Sequence, residues 1–207
     1  MEVEERVDRV EVELAQFTAQ SKATIRHMDE LIARSDQRLA ATERVIAELK
    51  EDARKHTLEM ARIADRIGRF AEDIVGPNIP RLAREVFGIA QAELRVQRID
   101  KPSRKDPSQW REFDFVITGH NQLIITETKS TARVKYIDEF AESLKDIFDY
   151  FPEFQGYKVV PIFASMALSP EFVRRLTRHK IYALALGERT MELLNLEQVR
   201  TRRANGK

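Results

Sequence analysis

Two acidic residues and a lysine draw attention because of where a turn would put them. Arg111–Thr118 and Gln122–Lys129 are runs rich in aromatic and β-branched residues, and between them stands Gly119-His120-Asn121. That pattern reads as a β-hairpin. A turn centred between His120 and Asn121 sets Asp114 opposite Glu127 and Glu112 opposite Lys129. Residues two apart share a face, so these four side chains fall together; Phe113, Phe115 and Ile117 fall on the other face with Thr128, Thr126 and Ile124. Two carboxylates directly opposite each other repel by up to about 1 kcal/mol, and a cation between them removes the penalty. Hard oxygen donors suit Mg²⁺ or Mn²⁺ and not zinc. Lys129 points into the same space, where it can orient a water or stabilise charge developing on a phosphate. Glu-x-Lys alone has almost no specificity, and the same residues can form an exposed, charged hairpin face. The apolar Leu123-Ile124-Ile125, which reads as part of a central strand, favours the site.

The elements that must hold this hairpin follow from the glycines and prolines. None occurs before Gly68, and the preceding 67 residues, rich in Glu, Arg, Ala and Leu, read as one long helix, roughly 100 Å in length at the α-helical rise. Val3, Val7, Val10, Leu14, Phe17, Ser21, Thr24 and Met28 are spaced by alternating fours and threes, as are Met28, Ile32, Ser35, Leu39, Thr42, Ile46, Leu49, Ala53, His56, Met60, Ile63, Ile67 and Phe70. This is the heptad seam of a coiled coil. Thr24, Met28 and Ile32 are joined by two successive fours, a stutter that unwinds the supercoil locally. Ser21, Thr24, Ser35, Thr42 and His56 are polar seam positions that weaken the coil and bear on register and oligomer number. His56 has only Glu59 and Met60 at helical neighbour spacing and reads as a seam residue, not a metal ligand.

Beyond Gly68 the pattern is mixed. Ala71–Val86 reads as helix interrupted at Gly76-Pro77-Asn78 and Pro80; Ala92–Ile99 as a strand; Lys101–Ser108 as a polar loop. After the hairpin, Tyr136–Phe151 reads as an amphipathic helix. Lys158–Ala164 is a buried strand whose Pro161 points to an edge or bulge. A helix starts at Ser169-Pro170-Glu171 and ends near His179. Ile181–Leu186 is a last core strand, Thr190–Leu196 one more strand or turn, and Arg200–Lys207 a frayed basic tail. The expected architecture is α+β or α/β: a coiled-coil oligomerisation helix over 1–67 and a domain over 68–207 with a mixed central sheet.

Composition narrows the function classes. The chain has 207 residues and no cysteine, which removes disulfides, thiolate zinc sites and cysteine nucleophiles. No apolar run is long enough to span a membrane, and Met1–Glu5 has neither the basic nor the apolar region of a signal peptide; the expected location is the cytoplasm. No Gly-rich phosphate loop is present. The first 67 residues carry 12 Lys and Arg against 15 Asp and Glu, the remainder 23 against 19. The mildly basic second part permits a nucleic-acid partner.

Asp114, twelve residues, then Glu127-Thr128-Lys129 resembles the motif of the PD-(D/E)XK nuclease superfamily, whose restriction-endonuclease-like core is αβββαβ. Gly68-Arg69-Phe70-Ala71-Glu72 looks like its first-helix motif, a glycine followed four residues later by an acid. Phe113 stands where the motif has proline. The resemblance covers the last two thirds of the chain and extends to uncharacterised prokaryotic members with an N-terminal coiled coil. It implies a Mg²⁺- or Mn²⁺-dependent phosphodiesterase acting on DNA. Asp114 and Glu127 would hold the metal with Glu72 from the first helix and the backbone carbonyl of Thr128, and Lys129 would position the attacking water. Asp73 is the rival of Glu72, which lies farther from the coil seam. Lys101, Arg104, Lys105, Arg133 and Lys135 are the expected phosphate contacts, while Arg174, Arg175 and Arg178 read as a solvated helix face. The chain would be a dimer or tetramer through its coil. The alternative is a catalytically silent scaffold or regulatory nucleic-acid-binding protein on the same fold.

Overall fold

A computed structural model describes residues 2–204, with side chains from residue 8 onward; the seam positions Val3 and Val7 and the final 205–207 of the tail lie outside the described side chains. Helix α1 (Glu2–Val75) is unbroken and passes through Gly68. Nothing in its sequence stops it until Gly76-Pro77. Its seam faces solvent: Leu14, Phe17, Leu39, Leu49, Met60 and Phe70 are each 60–68% exposed. The seam threonines Thr24 and Thr42 return their hydroxyls to the carbonyls four residues earlier, at 3.0 and 2.9 Å, which satisfies them inside the helix. The chain divides into two compact units, one up to Ala61 and one from Arg62 onward.

The second unit is a six-stranded mixed sheet in sequential order, β1 (Leu94–Pro102), β2 (Trp110–Gly119), β3 (Gln122–Lys129), β4 (Lys158–Ser165), β5 (Tyr182–Leu186) and β6 (Met191–Leu193). The first three strands form an antiparallel meander; β4 and β5 run parallel to β3, and β6 closes the far edge antiparallel. The end of α1, α2 (Asn78–Glu85) and α6 (Leu196–Ala204) cover one face, where Val75, Ile79, Leu82 and Val199 pack on Phe115, Ile117, Ile124 and Ile162. On the other face α3 (Val134–Ser143), α4 (Ile147–Tyr150) and α5 (Pro170–Arg178) bury Phe113, Val116, Leu123, Ile125 and Phe163. Strands covered on both faces lose their polar alternation, and seven of eight β4 residues are buried or partly so.

The hairpin turn is a two-residue loop in which His120 and Asn121 both have positive φ, 51° and 57°, the geometry that matches strand twist. The expected register holds from Phe115↔Thr126 to Gly119↔Gln122. Ser169 caps α5 by accepting from the Phe172 amide at 3.4 Å.

Four expectations need correction. Pro80 does not interrupt a helix; it is the third residue of α2, in the first turn, where its missing N–H has no intrahelical partner to lose. The helix expected over Tyr136–Phe151 breaks after Ser143, because the Arg111 guanidinium takes the Ser143 carbonyl at 2.9 Å and clamps Asp146 at 2.9 and 3.0 Å. Pro161 lies in a central strand, opposite Ile125 and without a bulge; the β5 ladder begins only at Ile162↔Tyr182. Arg200–Ala204 is not frayed. It is the end of α6, anchored by Arg203, which donates to the Val159 carbonyl at 2.8 Å and the Lys180 carbonyl at 2.9 Å.

Candidate active site

The site begins where two ladders fail. Strands β1 and β2 pair continuously from Leu94↔Thr118 to Pro102↔Trp110 except at Arg98 and Asp114, and the β2–β3 ladder ends at Phe115↔Thr126, one pair short of Asp114 and Glu127. Arg98 has φ 54°, a left-handed backbone uncommon for a residue with a β-carbon. Both strands change face across this point. Phe113 packs against Tyr150 and Phe151 on the α3 side, whereas Phe115, two residues on, packs on the α2 side. The expectation that Phe113 and Phe115 share a face is therefore overturned by a local kink that strict alternation does not anticipate.

Freed from both ladders, Asp114 turns its carboxylate to β3, where Oδ2 accepts the Thr128 amide at 2.5 Å. Thr128 itself is buried beside Ala164 of β4, so the acid is drawn inward. Burial, and then the neighbouring Glu127, push its carboxyl up to about 7; the Thr128 amide and Lys129 oppose the rise, and Glu72 adds to it. Glu127 follows on β3, its carboxylate 2.5 Å from the Lys129 ammonium. Burial works to lower the Lys129 ammonium, but Glu127 and Asp114 outweigh it and hold the amine above its ordinary value.

Glu72 arrives from the end of α1. Gly76 permits the approach of that end to β1: a β-carbon there would stand 3.1 Å from the Glu72 carbonyl and 3.3 Å from the Gln97 side chain. The Glu72 carboxylate, 18% exposed, is hydrogen-bonded by Arg98, whose Nε also lies 3.2 Å from Glu112. The hydrogen bond to Glu72, followed by its charge, raises the guanidinium further. Asp73 is more exposed. Arg98 thus joins two acids, Glu72 and Glu112, and it is the site residue that sequence reasoning missed. Only its place opposite Asp114 in the β1–β2 register could have revealed it, and that register was not readable from β1. A polar hollow of about 350 Å³ opens beside it, lined by Asp65, Arg69, Glu72, Arg98 and Glu112 among others.

The chemistry of this donor set fits a hard divalent cation: carboxylates of Asp114, Glu127 and Glu72, with the first destabilised as an anion by burial and by its neighbours. Among the described residues, though, no three acidic or histidine side chains already converge as a metal cluster. Glu72 and Glu127 are turned to Arg98 and Lys129, and to hold a metal they would have to exchange these cations for it.

The five expected phosphate contacts fall in two groups, Lys101, Arg104 and Lys105 beside Asp149–Glu153 and Arg133 and Lys135 at the start of α3. Lys101 pairs with Glu153 at 2.5 Å and lies over the Phe151 ring, Lys105 pairs with Asp149 at 2.7 Å, and Lys135 with Glu139 at 3.6 Å. Arg133 stands at the start of α3 beside Tyr136, and the Arg104 side chain is exposed. Arg175 is not part of a solvated face but grips Asp138 of α3 at 2.7 and 2.6 Å. Arg174, Arg178 and Arg202 of α6 border a hollow of about 390 Å³.

No protein-family model matches the chain, and no curated protein matches it. Among solved structures, Can2 from Sulfobacillus thermosulfidooxidans in complex with cyclic tetra-adenylate is similar at 17% identity and a TM-score of 0.40, over 56% of this chain and 31% of that one. The present chain thus spans less than a third of that structure.

Proposed function

We propose that the domain is a metal-dependent nuclease hydrolysing DNA phosphodiester bonds, on a restriction-endonuclease-like αβββαβ core, and that α1 assembles it as a coiled coil. The observation that carries this reading is Asp114: a half-buried carboxylate released from both ladders, next to Glu127 and facing Glu72, whose burial and acidic neighbours outweigh the Lys129 charge and push it up to about 7. Asp114, Glu127 and Glu72, with the Thr128 carbonyl, would hold Mg²⁺ or Mn²⁺. When bound, the cation supplies Lewis acidity and charge neutralisation at the scissile phosphate. The chain's own part is positional. Asp114 is fixed by the Thr128 amide, Glu127 by the parallel β3–β4 ladder, and the Lys129 ammonium, held beside Glu127, would orient the attacking water and offset developing negative charge. Among the described residues, Arg104 and Arg133 are the expected phosphate contacts without an acidic partner, and Lys135, paired with the exposed Glu139, can exchange it for a phosphate at little cost.

The test is incubation with supercoiled, linear and single-stranded DNA in Mg²⁺ or Mn²⁺, against Asp114→Ala as the inactive control. Cleavage that survives this substitution refutes the assignment. A second reading, a catalytically silent scaffold on the same fold, is favoured by the Glu72–Arg98 and Glu127–Lys129 pairs, which neutralise two of the three acids without a metal. A metal-dependent rise in Tm separates the two, since only a site that binds the ion in the folded state is stabilised by it.

A further inference from the structure

The uncovered seam of α1 carries information on how a second copy meets it. We infer that α1 pairs with α1 of a second copy in parallel and in register, which rests on the coiled-coil assembly proposed above. The alternation of threes and fours assigns Ile32, Leu39, Ile46, Ala53, Met60 and Ile67 to the first core position of the heptad, and Ser35, Thr42, Leu49, His56, Ile63 and Phe70 to the second. Three features of this assignment choose the orientation independently.

The first is the stutter at Thr24, Met28 and Ile32. It lies well to the N-terminal side of residue 39, the midpoint of the described seam. A full-length antiparallel pair would set one chain's unwound segment against regular heptads near residue 50 of the other. Sliding the helices until stutter meets stutter would leave the seam beyond Leu49 uncovered, including Met60, Ile63, Ile67 and Phe70. Those four side chains are 48–63% exposed in the single chain, and leaving them in water forfeits the apolar burial that drives the pairing. Only parallel pairing in register matches the two unwound segments at full overlap.

The second is the placement of the polar seam residues. Ser35, Thr42 and His56 all fall at the second core position. Antiparallel helices pack first-position residues against second-position ones, which sets Ser35 and Thr42 among Ile32, Leu39 and Ile46. Parallel helices pack like against like, so each polar residue meets its own counterpart and can hydrogen-bond to it. The third is charge. In a parallel pair the residue flanking one helix's first core position meets the residue five places on in its partner. Arg38 then meets Glu43, and no such pair between Glu13 and Ala71 brings like charges together.

By chain connectivity alone, a parallel pair delivers both C-terminal domains to one end of the coil, which suits two sites acting on one duplex. The chain has no cysteine, so Gln16→Cys and Arg62→Cys each accept a single spin label in the full-length protein, at matching outer positions equidistant from residue 39. Parallel pairing in register gives label separations of about 20–35 Å for both variants, set by adjacent helix axes and the label arms. Full-overlap antiparallel pairing gives about 70 Å for both, from the α-helical rise, and overturns the inference while leaving coiled-coil assembly intact. A monomer in sedimentation overturns both. A second measurement does not depend on labels: Arg38→Glu should weaken the dimer several-fold, and Glu43→Arg added to it should restore the affinity. Residues five apart do not face each other on one helix, so rescue reports the contact between copies, and failure of rescue refutes the parallel register.

Discussion

Replacing Asp114 by asparagine tests the electrostatic core of the site in a stability assay that needs no substrate. The folded carboxyl is raised from 3.8 to about 7, by burial first and by Glu127 second. Below about pH 3 the acid is protonated in both folded and unfolded chains and contributes nothing to the pH dependence. Between 3.8 and 7 the unfolded chain releases a proton that the folded chain keeps, so stability falls as pH rises; above 7 the whole penalty stands. At about 1.4 kcal/mol per unit, a shift of roughly three units is worth on the order of 4 kcal/mol. Asparagine keeps an oxygen to accept the Thr128 amide and has no charge to bury. In metal-free buffer, Asp114→Asn should therefore leave stability nearly unchanged near pH 3, raise it by about 1.5 kcal/mol near pH 5, and raise it by up to about 4 kcal/mol at pH 8. Urea unfolding across this range reads the difference. Added Mg²⁺ at pH 8 should recover much of the deficit in the parent protein and little in the variant. A variant that is destabilised at pH 8, or whose offset does not change with pH, refutes the claim that this carboxylate is held against its own charge.

Three further outcomes follow from the same geometry. Glu127→Ala should abolish metal-dependent cleavage of DNA, whereas Lys129→Ala should slow it by roughly 10²-fold and keep the Mg²⁺-induced rise in Tm, because the amine is not a metal donor; equal loss of both signals in Lys129→Ala would remove the separation of roles. Arg98→Gly suits a backbone φ of 54° and frees Glu72, so Mn²⁺ titrated calorimetrically should bind several-fold tighter, the scale of a competing exposed ion pair; unchanged or weaker binding would show that Glu72 is not among the donors. Gly119→Ala would put a β-carbon 2.6 Å from Ile89 Cγ2 and 3.0 Å from the Gln91 carbonyl, and chemical denaturation should show a loss of about 1–3 kcal/mol; an unchanged midpoint would mean that this corner yields freely.

Periodicity made much of the fold legible. The heptad spacing and the absence of breakers gave α1, and the two-residue turn gave the hairpin register, because both are local patterns in the sequence. What was not legible depends on partners distant in sequence. The break between α3 and α4 comes from Arg111, more than thirty residues earlier, taking the Ser143 carbonyl. Pro161 is tolerated in a central strand because of where a later strand happens to begin. The C-terminal turn is held by Arg203 reaching the carbonyl of Val159, forty-four positions away. None of these leaves a mark on its own segment.

The site divides along the same line. Asp114, Glu127 and Lys129 could be brought together on paper because one hairpin carries all three, and Glu72 because a resemblance named its spacing. Arg98 could not, since its importance arises from a kink that removes it and Asp114 together from an otherwise continuous ladder. That kink also explains why the assembly is less simple than a flat charged face. Strict alternation would have left Asp114 as a paired residue on a strand, with its carboxylate beside Glu112 and open to water. Breaking the ladder at that position carries the carboxylate to the Thr128 amide and sets it, half-buried, beside Glu127. It also sets a guanidinium across Glu72 and Glu112. A face of scattered charges becomes a pocket in which one acid is held against its own charge and two others hold replaceable cations, and that difference is what a divalent ion would act on.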